Sequence, residues 1–402
     1  METLRVAVIG GGFIGKQHME AIRRIPGTQI VAISEMFEAS AKKLAEEQAI
    51  PAWYTDYKEM LEKEKPDVVH ICTPNNTHFQ IAKDVIEFGA FAYCEKPLGM
   101  NSEETAELAK LVIAKGTKAG VNFNYRQNAM VREMYERIHG DIKDPLGPVG
   151  KVYAVRGHYL QDWMMYDTDY NWRVVPALGG VSRTIADIGS HWFDTVQYIT
   201  GHRIVRVLCD MQTVIPQRKK PLKQVKTFET AAPDEYELVD ISSEDSAFVI
   251  VEFDDGTKGQ VTLSQVAGGH KNDLQVDIDG SNYSMTWQQE YADKLDINHR
   301  QIGNIVRFAG PDMVSGDAVR YAQLSSGHSV GWADALKNTI SEFYRTLRGA
   351  DVNYATFTEA DYVVRIVEAC MKSSKEGRWI EVEADPQLAE ALANLYAMKQ
   401  KK

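Results

Sequence analysis

The chain has 402 residues, long enough for two domains with separate cores, and a formal net charge of −11 at pH 7. That acidic balance excludes a basic nucleic-acid footprint, so any phosphate site must be local. Cys72, Cys94, Cys209 and Cys370 are scattered without a C-x-x-C pair, which excludes a disulfide framework or zinc cluster and leaves no metal to expect.

The first predicted strand, Leu4–Gly10, feeds the stretch LRVAVIGGGFIG, with G-x-G-x-x-G spacing at Gly10, Gly12 and Gly15. Gly10 can end a strand in a tight turn, Gly12 leaves no side chain between backbone and pyrophosphate, and Gly15 lets the helix-compatible KQHMEAIRRI pack closely on a sheet. Phosphates there meet the N–H groups and positive dipole end of that helix, and Phe13 and Ile14 inside the motif belong to the same expected turn. A second strand, Gln29–Ser34, ends at Glu35, whose carboxylate suits the two hydroxyls of an adenosine ribose and repels a 2'-phosphate. With Met36 and Phe37 after it rather than arginine, the reading is NAD in preference to NADP.

Strands follow at Val68–Cys72, Phe91–Cys94 and Lys118–Phe123, and helices at Ala39–Gln48, His78–Phe88 and Ser102–Lys115, the last opened by an Asn101/Glu104 capping signal. This alternation predicts an α/β Rossmann domain over 1–125, a doubly wound parallel sheet. From about Val149 strands dominate: Val149–Tyr159, Ile204–Met211, Ser246–Phe253, Gly259–Val266, Leu274–Gly280 and Ser284–Gln288, with Asp254-Asp255-Gly256 as a hairpin turn. An α+β domain with a large open, mostly antiparallel sheet is expected over 126–383, with helices near Asp187 and at Trp332–Arg348. The connections 212–245 and 289–331 lack clear periodicity, and 384–402 reads as a helical surface tail. No run approaches the ~20 apolar residues that span a bilayer, and METLRVAVIG enters a strand without a secretion signal, so the expectation is a cytoplasmic protein that binds neither membrane nor nucleic acid.

Two groups carry chemistry. Glu95-Lys96-Pro97 closes a parallel strand at the carboxyl edge, where such sheets bind ligands. Lys96 could act there as a hydrogen-bonding cation or, with its pKa lowered by burial beside a charged nicotinamide, as a base. In Ile185–Asp194, Asp187 and His191 are four apart and share a face if helical, and an aspartate can orient an imidazole and stabilise its protonated form. Alone, Lys96 reads as a solvated edge lysine, and His191 as a core histidine near a capping aspartate.

Taken together, the glycine fingerprint, CTPNNTH at Cys72–His78, CEKPL at Cys94–Leu98 and the D-x-G-x-H of Asp187–His191 resemble the glucose-fructose oxidoreductase, inositol dehydrogenase and MocA family from Leu4 to about Val382. RGHYLQDW at Arg156–Trp163, NWR at Asn171–Arg173 and GGVSRTIADIGSH are most similar to its levoglucosan dehydrogenase-like sugar dehydrogenases. The resemblance implies that Lys96, Asp187 and His191 are catalytic. It implies that Thr73, Pro74, Asn75, His78, Glu95, Lys96, Trp172 and Arg173 line the nicotinamide half of the cofactor site, and that Tyr125, Arg126, Tyr159, Gln161, Trp163, Asp187, His191 and His328 face a sugar. The implied activity is NAD-dependent oxidation of a secondary hydroxyl of a sugar, anhydrosugar or cyclitol by a homodimer or homotetramer. The alternatives are a glycosidase working through transient C3 oxidation and elimination, and a non-catalytic dinucleotide or sugar sensor. Lys219–Tyr236 and Asn298–Leu324 depart from the family pattern, and as expected pocket walls they leave the substrate open.

Overall fold

The computed structural model describes residues 3–222 and 236–400; the part of the 212–245 connection at 223–235 lies outside the described residues. The chain forms two compact units, one of Met1–Asn124, Ala333–Tyr362 and Asp385–Leu388, the other of Tyr125–Trp332, Val363–Ala384 and Ala389–Lys402.

In the first unit β1 (Leu4–Ile9), β2 (Thr28–Ser34), β3 (Ala52–Tyr54), β4 (Val68–Ile71), β5 (Phe91–Cys94) and β6 (Ala119–Val121) run parallel in the order β6-β5-β4-β1-β2-β3. Val6–Val8, Ala32, Ile33, Val68 and Val69 are fully buried, as a sheet covered on both faces requires, which is why these strands read as unbroken apolar runs. The strand order reverses between β1 and β4, so the turns after β1, β4 and β5 lie at the switch point where open α/β sheets bind ligands.

The first unit reclaims a late segment that sequence reading assigned to 126–383. Helix Trp332–Leu347 sends Phe343 against Tyr93 and Tyr344 against His70, with ring centroids 5.1 and 5.9 Å apart, and Ala355–Thr356 pairs antiparallel with β6. Lys118 Nζ donates to the Thr346 carbonyl at 2.6 Å, and Thr105 Oγ1 to Asp361 at 2.7 Å. Apolar burial and these bonds decide the assignment, and sequence order does not reveal them.

The second unit is built on β7 (Val152–Leu160), β8 (Ile204–Gln212), β9 (Gln217–Pro221), β10 (Tyr236–Asp240), β11 (Ser246–Phe253), β12 (Lys258–Ser264), β13 (Asp273–Gly280), β14 (Ser284–Gln288), β15 (Lys294–His299) and β16 (Gly303–Phe308). The main sheet runs β16-β15-β14-β13-β7-β12-β11-β8 with Ile380–Glu381 at its edge, antiparallel except where β12 meets β7; β9 and β10 pair separately. Both connections without periodicity therefore carry strands. One face of the sheet buries Val155, Val249, Val261, Leu274 and Val276 and receives Trp192 of the helix Ser190–Thr200, whose indole lies where a side chain at Gly157 would go. The other face carries the Arg156–Asp279 ion pair and exposes Phe248 and Ile250.

Two further expectations change. Phe357–Glu376 is a 20-residue helix not anticipated from sequence. The tail helix Ala389–Gln400 is docked rather than superficial: Leu392 and Tyr396 are buried, and Tyr135 Oη donates to the Lys399 carbonyl at 2.5 Å. Among the described residues no helix is long and apolar enough to cross a membrane.

Candidate active site

The first unit holds the expected cofactor residues except Trp172 and Arg173, which belong to the second. Gly10 sits at φ +92°, in the left-handed region, and a Cβ there would lie 2.6 Å from the Cys72 carbonyl oxygen. A Cβ on Gly15 would overlap the Gly10 carbonyl, so the helix Phe13–Arg23 can approach the turn only through glycine. Gly12 differs: a Cβ there meets nothing within 4 Å, and no side chain caps the first turn of the helix. That open ground before a helix N-terminus fits a pyrophosphate. Phe13 is exposed beside it and Ile14 half-buried. Glu35, at the end of β2, is half-buried and accepts the Gly11 N–H, which fixes the carboxylate beside the turn; the exposed Met36 and Phe37 bring no cation to it. The donor set therefore fits a dinucleotide with a free ribose.

At the ends of β4 and β5 the side chains are mutually braced. Thr77 Oγ1 donates to Thr73 Oγ1 at 2.6 Å, just before and inside the helix Asn75–Phe88 that Pro74 precedes. His78 is buried, with Nε2 2.8 Å from the Thr73 carbonyl and Nδ1 2.7 Å from the Pro97 carbonyl. Burial lowers its pKa, against the pull of the two carbonyls. The ring thus lies between the β4 and β5 turns, and while neutral it donates to one of the two carbonyls. Lys96 is half-buried on the adjoining turn, and its bond to Pro97 is cis. Glu95 is buried; burial works to raise its pKa, but hydrogen bonds from His18 and Asn122 and the nearby charges hold it below its ordinary value.

The second unit gathers most of the expected sugar-facing residues into one polar and aromatic network. Ile185–Gly189 makes a turn of π-helix that continues as Ser190–Thr200, so the segment is helical but opens wider than the α-turn the four-residue spacing suggests. Asp187 accepts from Gln265 Nε2 at 2.9 Å and lies 3.4 Å from Arg173 Nε. Arg173 in turn stacks on Trp172 at 4.5 Å and faces Trp163 at 5.8 Å. Trp163 donates to Gln161 Oε1 at 2.8 Å, and Gln161 reaches Asn272 Oδ1 at 3.3 Å. Tyr159 donates to the same Asn272 oxygen at 2.6 Å and bonds Tyr125 Oη at 2.9 Å, while the Tyr125 ring packs edge-on against His191 at 4.9 Å. Burial pushes both phenols above their ordinary range; at Tyr159 the Tyr125 hydroxyl and then the Asp187 charge add to it, and at Tyr125 burial and, less, the Asp187 charge outweigh the hydrogen bonds. Tyr125 and Tyr159 therefore remain hydroxyls, able to orient a polyol but not to take its proton.

Two expected residues do not join this network. Arg126 is buried, with Nε and Nη2 on the Asp194 carboxylate at 2.8 and 2.5 Å and the guanidinium over Tyr198; it is a core ion pair rather than a sugar donor, and Asp194 is its counter-charge. His328 is exposed on a loop, with Nδ1 3.0 Å from the Ser325 carbonyl. Sequence reading missed Gln265 and Asn272, whose only signal is an amide next to a strand end, and Gly11, whose value lies in its N–H. It also missed His18 and Asn122, which bond Glu95 from far along the chain.

A glycine turn at the switch point of a parallel sheet, with an acidic residue closing β2, defines an NAD-binding oxidoreductase. Residues 4–123 match the family model described as oxidoreductase family, NAD-binding Rossmann fold, and residues 146–286 match the C-terminal domain model of the same family; the chain belongs to the GFO/IDH/MocA family. It is similar to the levoglucosan dehydrogenase of Pseudarthrobacter phenanthrenivorans, 25% identical over 396 residues that span 95% of this chain and 99% of that one. Among solved structures it shares its fold with levoglucosan dehydrogenase in complex with NADH and L-sorbose (TM-score 0.84, 24% identity, 96% of this chain and 100% of that one). The inositol dehydrogenase homologue from Azotobacter vinelandii, complexed with NADH and myo-inositol, also matches (TM-score 0.79, 23% identity, 94% and 98% coverage).

The Glu35 carboxylate sets a testable preference. Glu35→Ser lowers the ratio of kcat/KM with NAD to that with NADP by at least about fivefold, since one like-charge contact at a half-exposed site is removed. Steady-state rates with both cofactors check this, and an unchanged ratio would mean that Glu35 does not read the ribose.

Proposed function

We propose that the protein oxidises a secondary hydroxyl of a sugar, anhydrosugar or cyclitol to a ketone. The observation that carries the proposal is the network of the second unit, in which Tyr125, Tyr159, Asn272, Gln161 and Trp163 run from the His191 ring to Arg173, which with Gln265 holds Asp187. Apolar ring faces beside amides and hydroxyls suit a polyol, which has C–H faces and many donors. The named activities of the relatives point to the same substrate class.

In the proposed reaction the C–H bond of the carbinol breaks, its electron pair leaving as hydride, while the hydroxyl proton passes to His191 and the C–O bond becomes a carbonyl. NAD, when bound, accepts the hydride. His191 is the base in this reading, and the two phenols beside it stay protonated and cannot serve in its place. Asp187, held by Gln265 and Arg173, supplies the negative charge that favours the protonated imidazole and offers an acceptor to a substrate hydroxyl. Lys96 donates to the reacting oxygen and joins the proton relay. Thr73, Pro74 and Asn75 form the floor of the nicotinamide side. A homodimer or homotetramer agrees with the exposed Phe248 and Ile250 on the outer sheet face.

The test is NADH absorbance over a panel of pyranoses, anhydrosugars and inositols. NADH formation with one of these classes is the expected result. Release of an aglycone from a glycoside without net NADH would replace the proposal with oxidation and elimination, and tight NAD binding without turnover would replace it with a sensor.

A further inference from the structure

Inside the first unit, four side chains that the proposed chemistry does not use form one continuous line. His18, on the helix that begins at the glycine turn, places Nε2 2.9 Å from Glu95 Oε1 and Nδ1 2.7 Å from His70 Nδ1. His70, on β4, places Nε2 2.7 Å from Tyr344 Oη. His18, His70 and Tyr344 are fully buried and Glu95 nearly so.

With both rings neutral, the donors and acceptors place the protons along this line. Glu95 Oε2 faces the Lys96 main-chain N–H at 3.2 Å, and Oε1 faces the Asn122 amide nitrogen at 2.5 Å. Both carboxyl oxygens thus accept, and Glu95 is a carboxylate. A neutral His18 then donates from Nε2, which leaves its Nδ1 a lone pair. Two Nδ1 atoms 2.7 Å apart share a single proton, so it is carried by His70. Nε2 of His70 is then an acceptor, and Tyr344 donates to it. Every bond in the line points the same way, from Tyr344 through His70 and His18 to Glu95.

We infer that His18 and His70 are positioning residues for Lys96. Through Glu95 they fix the main chain at Lys96 to the helix that starts at the glycine turn, so that the phosphate-binding turn and the lysine are held as one rigid piece. The kinetic part of this inference rests on the reading of Lys96 as a participant in the reaction; the proton arrangement does not.

Two measurements on the full-length protein separate these. Nitrogen-15 NMR of histidine-labelled enzyme, with His18→Gln and His70→Gln assigning the signals, is expected to show His18 protonated on Nε2 and His70 on Nδ1. The reverse arrangement, or a doubly protonated His18 or His70, overturns the one-way line. His70→Phe removes the donor to His18 while leaving Glu95, the glycine turn and every sugar-facing residue in place. Its kcat on the best panel substrate falls about tenfold or more, as for a slightly misplaced reacting group, with KM for NAD and sugar unchanged. His70→Gln, whose amide can still donate to His18, recovers most of the rate. Unchanged kcat in a folded His70→Phe enzyme overturns the positioning role, as does a loss confined to KM or one that His70→Gln does not relieve. If Lys96→Ala itself keeps full turnover, the catalytic reading of Lys96 fails and the positioning role with it, while the NMR result stands independently.

Discussion

His191→Ala turns over the best panel substrate about 100- to 10,000-fold more slowly than the parent enzyme, the usual contribution of a positioned general base. Binding of NADH, followed by its fluorescence, is unchanged, because the glycine turn and Glu35 belong to the other unit. The loss belongs in kcat, since the imidazole takes its proton in the transition state and does little for ground-state binding. Tyr125 cannot substitute: burial and the Asp187 charge keep its hydroxyl protonated. Lys96→Ala gives a loss of similar size. Lys96→Arg separates the two possible tasks of the lysine, because arginine preserves a cationic donor but cannot release a proton at any accessible pH. Wild-type turnover in both alanine variants on the best substrate would sink the proposed chemistry.

Asp245→Ala destabilises the second unit by about 3 to 5 kcal/mol, the loss found when one partner is removed from a buried ion pair. Asp245 is fully buried and accepts from the guanidinium of Arg183, from Arg218 Nη2 at 2.8 Å, and from the Val214 and Ile215 amides at 2.7 and 2.8 Å. Its removal leaves two buried guanidinium groups without their shared carboxylate. The consequences reach the proposed site along both arms. Arg218 Nη atoms hold the carbonyls of Met164, Tyr166 and Asp169, which frame the loop after Trp163, and Arg183 begins the turn that carries Asp187. A raised KM for sugar therefore accompanies the fall in the urea midpoint. Asp245→Asn keeps the shape without the charge and falls between the two. Burial would raise the Asp245 pKa, but Arg183, the Ile215 amide and Arg218 together hold it below the usual carboxylate value. A carboxylate with a depressed folded-state pKa contributes its full stability above about pH 4 and loses it as pH falls through the lower folded value. The parent thus loses this contribution on acidification, whereas Asp245→Ala has none to lose and shows a flatter stability profile there. Destabilisation below about 1 kcal/mol, the level of an exposed pair, would contradict the role assigned to Asp245.

What could be read before the structure follows physical lines. Strands β1, β2, β4 and β5 were legible because a parallel sheet covered on both faces demands uninterrupted apolar residues. Strands β10 and β16 were not: Tyr236–Asp240 and Gly303–Phe308 have no buried residue, so they lack the alternation that marks a half-buried strand. The tight turn at Gly10 and Gly15 and the place of Glu35 at the end of β2 were legible because they depend on spacing along one short segment. Arg126 was misread because its partner, Asp194, is 68 residues away, and a buried guanidinium and a ligand-binding one look alike in sequence. His18 was overlooked for the same reason, with contacts 52 and 77 residues distant.

The return of Ala333–Tyr362 to the first unit bears on how this protein could be taken apart. The Rossmann sheet is not a detachable N-terminal module. A fragment ending at Asn124 would lack the antiparallel strand that covers β6, bare the ring of Tyr93, and leave His70 without Tyr344. The smallest portable cofactor unit needs residues 333–362 grafted back, so chimeras that exchange sugar specificity within the family have to be cut at several seams and not at one.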